Sequence, residues 1–303
     1  MTRLFGFLVG SLALYDVVLG VFSAASKNNV VLYYAETYAG PGYGGQSKPT
    51  NNRLLKCSNL QRDMYTCRQT STKKILLSLG GGTTAYQLRG AVDRENLAKQ
   101  LWYMFRPRQG NRVKQGLPRP FDYAGSNAGF SVDGFDLDIE HPPTDGSAGY
   151  TALATKLRSL YAAVPGTFYL TASPQCVVPD ASMADTLRAT SFDMYVLGGA
   201  FGATGFTYDA WITIVAGTYS RNARVNLGLP GSAKVASPWF ELTVRQTANL
   251  ANAYYCRSNF GGVTIWEATY ASENVASGRN FYQNVKTALN TASTNKRLSC
   301  LPR

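Results

Sequence analysis

Residues 133–140 read Asp133, Gly134, Phe135, Asp136, Leu137, Asp138, Ile139, Glu140, and no other stretch limits the fold so tightly. Successive side chains of an extended strand point to opposite faces. Asp136, Asp138 and Glu140 therefore share one face, and Phe135, Leu137 and Ile139 share the other. Such a strand needs an apolar layer behind it and a polar enclosure in front. Acidic side chains are rarely buried without purpose. Three carboxyls this close repel one another when ionised, and a carboxyl that keeps its proton is what a general acid needs. A magnesium or calcium site is the alternative, although those ions favour ligands spread over loops and several elements.

The rest of the chain alternates. Buried strands are expected at 29–35, 73–79, 132–140, 167–173, 192–197, 223–229 and 262–267, with helices near 53–68, 94–105, 148–163, 181–190, 208–219, 239–256 and 279–290. Continuous apolar strands separated by helices imply a parallel sheet covered by helices, and a closed βα-barrel is its expected form. A length of 303 residues suits one such barrel. The second strand ends in Gly80, Gly81 and Gly82, which let backbone approach a ligand or form a flexible turn.

Arg3 followed by the apolar run 4–22 and the small residues Ser23, Ala24 and Ala25 has the pattern of a secretory leader, which divides the chain into residues 1–25 and a single domain over 26–303. After leader removal, no remaining stretch is long and apolar enough to span a membrane. Five cysteines fit an oxidising, extracellular setting. Cys57 and Cys67 are close enough to bridge one local segment.

A net charge of +12 favours polyanions in general. The basic residues are nevertheless scattered and accompany no recognition motif, so no nucleic-acid partner is expected. The densest run, Arg106, Arg108, Arg112, Lys114 and Arg119, reads as a solvated loop. His141 is the only histidine, which leaves histidine-based zinc sites and Ser–His triads little to work with. No metal or cofactor is expected.

The stretch 133–140 matches the D-x-x-D-x-D-x-E signature of glycoside hydrolase family 18. SLGGG (78–82), YLTASPQC (169–176), LGLP (227–230) and GGVTIWEA (261–268) stand in that family's order, so the chain resembles the class III plant and fungal chitinases. The resemblance implies a TIM-type (β/α)8 barrel. Only seven strands are readable, because 36–72 has room for one helix where the family carries a second strand. It implies an endo-acting chitinase with chitin or chito-oligosaccharides as partner, secreted, extracellular and monomeric. Glu140 would be the acid/base, Asp138 the partner of the substrate acetamide and Asp136 its tuning neighbour. Tyr33, Gly81, Gly82 and Trp266 would meet substrate, and Asp133 would support the carboxylates from behind.

Two departures bear on activity. The family's Trp-Gly-Gln after the first-strand tyrosine is replaced by Tyr34, Ala35 and Glu36. After Phe192 and Asp193 the family runs through a Gln and a Tyr that grips the acetamide carbonyl, whereas here Tyr195 stands too early. A chitinase-like lectin that binds chito-oligosaccharides with weak or no turnover is therefore the alternative, and a glycosidase inhibitor is a third use of this barrel. The missing stretch usually holds the partner of Cys176, which would leave Cys176 a thiol.

Overall fold

The computed structural model describes residues 22–34, 58–82, 88, 91–108, 117–123, 129–197, 206–236, 240–296 and 300. The expected leader up to residue 21 lies outside them. Phe22 is described, and its ring stands edge-on to Tyr169 with centroids 5.6 Å apart.

Seven strands form one parallel sheet: β1 (Asn29–Leu32), β2 (Leu76–Gly81), β3 (Gly134–Ile139), β4 (Tyr169–Ala172), β5 (Met194–Leu197), β6 (Arg224–Pro230) and β7 (Phe260–Trp266). Their spatial order is β1-β7-β6-β5-β4-β3-β2, so β1 and β2 are the two edges among the described residues. The sheet opens between β1 and β2, where the resemblance left out a strand. The connecting residues 35–57 lie outside the described ones.

Helices fill the crossovers: α1 (Ser58–Thr70), α2 (Ala91–Phe105), α3 (Ala148–Ala162), α4 (Ala184–Ala189), α5 (Tyr208–Ala216) and α6 (Val244–Tyr254). The α6 start is set by its sequence. Thr243 accepts from Gln246 N, and the Gln246 side chain accepts from Thr243 N, so two orphan amides of the first turn are satisfied reciprocally. After β7 come the short α7 (Ala268–Glu273), a two-stranded hairpin of β8 (Val275–Ala276) and β9 (Arg279–Asn280), and α8 (Phe281–Lys296). Sequence periodicity did not anticipate α7 or the hairpin, since neither is long enough to carry a period.

Phe135, Leu137 and Ile139 turn outward from the sheet into the layer beneath the helices and are fully buried. Burial of each such side chain contributes about 1.5–3 kcal/mol. Trp102 packs in the same layer with Tyr161 tilted against it and Phe168 edge-on. The disulfide among the described residues joins Cys256 to Cys300. Cys67 is a thiol 3.4 Å from Ser71 Oγ; Cys57, which spacing offered as its bridging partner, lies outside the described residues. Cys176 is also a thiol, and burial pushes its pKa up.

Candidate active site

Parallel pairing sets the site, because all strands end at the same mouth. Ser78 of β2 and Thr171 of β4 stand in register on either side of Asp136, and Gly80 stands beside Asp138. Asp136 Oδ2 accepts from Ser78 Oγ at 2.8 Å, from Tyr33 Oη at 2.9 Å and from Ser173 Oγ at 3.2 Å. Its Oδ1 accepts from Thr171 Oγ1. These four donors are neutral hydroxyls, which suits an acceptor-only carboxylate buried to 5% exposure. Among the described residues no set of three His, Cys, Asp or Glu ligands converges to hold a metal.

Tyr33 follows β1 and crosses the seam of the sheet to reach Asp136. The Tyr33 hydroxyl also meets Ser173 Oγ. Burial, then the nearby charges of Asp136 and Asp138, hold its pKa far above the usual phenol range, so it keeps its proton and donates. On its other side the Tyr33 ring lies 6.0 Å from that of Trp266, tilted by 49°. Trp266 ends β7, opposite Pro230 of β6.

Glu140 lies just past β3 and is partly exposed, while Asp136 and Asp138 behind it are buried. Gln175 Nε2 donates to the Glu140 carbonyl at 3.2 Å. A Cβ placed on Gly82 would stand 3.4 Å from Glu140 Oε2, an ordinary van der Waals contact, so Gly82 lies directly beside the acid. Gly81 holds φ +92°, a left-handed value that favours glycine, and faces open space. Of the expected residues, Tyr33, Asp136, Asp138, Glu140, Gly82 and Trp266 thus gather at the mouth.

Asp133 does not. It sits at the other end of β3, where it accepts from Ile75 N at 2.8 Å and pairs with Arg68 at 2.7 Å and Lys74 at 3.3 Å. It ties α1 and β2 to β3 and touches none of the mouth residues. His141 is buried and meets Tyr150 Oη at 3.4 Å. Tyr195 faces away from the mouth: its inward neighbour Met194 meets Asn226, while Tyr195 packs on Phe192 under the helices. Burial raises its pKa to about 12. Residues 198–205, where the resemblance would place the Gln/Tyr pair, lie outside the described ones. Ser78, Thr171 and Ser173 were not singled out from sequence. Hydroxyl residues at the inward positions of the strands flanking the carboxylates were the available signal.

A parallel βα-barrel with its carboxylates at the strand C-termini places its chemistry where such barrels carry their active sites. The family model for glycosyl hydrolases family 18 matches residues 12–199. The chain belongs to that family. It is 37% identical over 250 residues to an endochitinase of Saccharomyces cerevisiae, covering 79% of this chain and 41% of that protein. The crystal structure of a chitinase from Ipomoea carnea superposes with a TM-score of 0.61 at 23% identity, covering 77% of this chain and 79% of that one. A xylanase and alpha-amylase inhibitor protein from Scadoxus multiflorus superposes with a TM-score of 0.63 at 20% identity, covering 87% of this chain and 98% of that one. Similarity at that level reports the shared fold. The chain spans less than half the length of the curated relatives it matches first, 41% and 25%.

Proposed function

We propose that this chain is a secreted endo-chitinase that cleaves β-1,4-linked N-acetylglucosamine polymers with retention of configuration, its leader ending at residue 25 and one monomeric catalytic domain occupying 26–303. Family 18 is among the exceptions to the two-carboxylate scheme. Glu140 protonates the glycosidic oxygen while the substrate's own acetamide oxygen attacks the anomeric carbon. The leaving sugar departs with that proton, and a cyclic oxazolinium carries the positive charge. Asp138 accepts the acetamide N–H and stabilises that charge; Asp136, held by Tyr33, Ser78, Thr171 and Ser173, supports Asp138 from below. Water then attacks the anomeric carbon, gives its proton to the Glu140 carboxylate, and the acetamide is restored. Trp266 provides the floor for the sugar.

The observation that carries this reading is the hydroxyl cradle of Asp136. It leaves three carboxyls around one mouth, and no cation among the described residues pairs with Asp136 to compete with a cationic intermediate. The test is release of reducing ends from chitotetraose, with calorimetry of the same ligand. Turnover supports the reading, and binding without any release of reducing ends removes it.

The position of Tyr195 favours a second reading, a chito-oligosaccharide-binding protein with weak turnover. With Tyr195 under the helices, it is not available to clamp the acetamide carbonyl, and near-attack geometry is less populated. Grafting the family's Gln/Tyr segment between Tyr195 and Phe206 then raises turnover with little change in binding. Equal turnover in both forms counts against this second reading.

A further inference from the structure

Arg94 is the one arginine among the described residues with a fully buried side chain, at 1% exposure. It lies in the first turns of α2, behind the mouth rather than in it. Its Nη2 donates to the Leu88 carbonyl at 2.8 Å and to the Asp145 carboxylate. Leu88 belongs to the connection leaving β2 and Gly82. Asp145 belongs to the connection leaving β3 and Glu140. One guanidinium therefore joins Leu88, just before α2, to the loop that follows Glu140.

Stability alone does not account for this arrangement. Arg94 Nε and Asp145 Oδ1 are buried without a hydrogen-bond partner. Arg94 is fully buried while the Asp145 side chain is 23% exposed, and a guanidinium desolvated with one donor unsatisfied gives back much of the pair's attraction. Room for the guanidinium comes from Gly149 at the start of α3, where a Cβ would overlap it. The same loop is pinned once more, by Tyr150 against His141, the residue next to Glu140.

We propose that Arg94 is a positioning residue for the acid: by tying Asp145 to α2 and Leu88 it holds the loop 141–147 that follows Glu140, and so where the Glu140 carboxyl stands against the glycosidic oxygen. The proposal rests on Glu140 being the acid. A displacement near 1 Å of a catalytic group is enough to cost on the order of 10²-fold in rate.

The test compares Arg94→Met and Arg94→Lys with Arg68→Met, which breaks the ion pair at the opposite end of β3. Steady-state hydrolysis of chitotetraose, normalised to folded protein, is expected to show kcat lowered by roughly 10- to 100-fold in Arg94→Met. KM is expected to stay within about 2-fold, because the ground-state contacts at Trp266 are untouched. Arg94→Lys recovers part of the loss, and Arg68→Met leaves kcat as it was. In parallel, hydrogen exchange of amides at Leu88 and over 141–147 rises together in Arg94→Met and not in Arg68→Met. If Arg94→Met lowers only the melting temperature, with kcat and loop exchange unchanged, the proposal is overturned. If the unmodified chain itself releases no reducing ends, the enzyme reading falls and exchange decides on Arg94: coupled loosening of both loops supports the clamp, and unchanged exchange overturns it.

Discussion

Two aspartates of the β3 segment, Asp133 just before the strand and Asp136 within it, stand in opposite settings. At its start Asp133 is held by two cations, Arg68 and Lys74, and by a backbone amide. Three residues further on, Asp136 accepts from four hydroxyls of the described residues. The first arrangement neutralises a charge and fastens α1 and β2 to the strand. The second satisfies lone pairs with neutral donors and brings no cation of the described residues to the carboxyl. A carboxylate meant to face a cationic intermediate has to be oriented without being neutralised, and neutral donors do that. The barrel thus keeps structure at its foot and chemistry at its mouth, and each end can be perturbed separately.

The largest expected effect is at the mouth. Glu140→Gln keeps size and hydrogen-bonding capacity but has no proton to give. Turnover of chitotetraose is expected to fall by at least ~10²-fold, the usual cost of a general acid, while calorimetry shows binding close to that of the parent chain. Hydrolysis at the parent rate would remove Glu140 from its role and with it the contrast between the two ends. Tyr33→Phe is milder. The ring against Trp266 survives, and one of the donors to Asp136 is lost. Hydrogen bonds to charged groups contribute about 1.5–3 kcal/mol, so roughly a 10-fold loss in kcat is expected, with KM little changed. A change confined to KM would mean that Tyr33 serves substrate binding and does not serve Asp136.

How far the contrast could be read beforehand differs between the two ends. The alternation over 134–139 separates apolar from acidic faces with no knowledge of neighbours, the repeated strand-and-helix pattern carries the parallel sheet, and the family resemblance carries the gap between β1 and β2. Asp133 was misjudged because its partners Arg68 and Lys74 are brought to it by strand pairing, and proximity in sequence says nothing of them. The hydroxyl cradle was missed for the complementary reason. Ser78 and Thr171 become neighbours of Asp136 only through parallel register, and hydroxyl residues leave no charge pattern to follow. The Cys256–Cys300 bridge was equally hidden, since connectivity follows the fold and not spacing.

At the foot the expected effects fall on stability. Arg68→Met removes one of the cations from Asp133 but leaves Lys74 and Ile75 N. Because the pair is partly exposed, with Arg68 at 30% and Asp133 at 13% side-chain exposure, a loss of about 1–2 kcal/mol is expected, less than for a fully buried pair. Denaturant melts measure it. A simultaneous fall in kcat per folded molecule would show that the two ends are coupled through the strand.

The smallest effect, and the one that separates the ends by pH, concerns Asp122 in the segment leading into β3. Arg119 and Arg108 both bond its carboxylate, and Phe130 N donates to it at 2.7 Å. Burial by itself raises the carboxyl's pKa, but the hydrogen bonds and the Arg119 charge outweigh it and hold the pKa below the ordinary 3.8. The folded state therefore binds this proton more weakly than the unfolded state does, and folding stability rises with pH across the interval between the two values. The contribution is complete well above 3.8 and is lost as pH falls through that value toward the depressed folded one. Asp122→Asn cannot titrate, so its melting temperature lies below that of the parent chain near neutrality, and the difference narrows on acidification from about pH 5 toward pH 3, following the usual carboxylate range. A constant difference across that range would show that Asp122 acts only through shape and hydrogen bonding. Loss of foot stability on acidification with kcat per folded molecule unchanged, measured in the same titration, is the result that would place the pH dependence of stability at the guanidinium-held end of the barrel and leave the pH dependence of catalysis to the mouth.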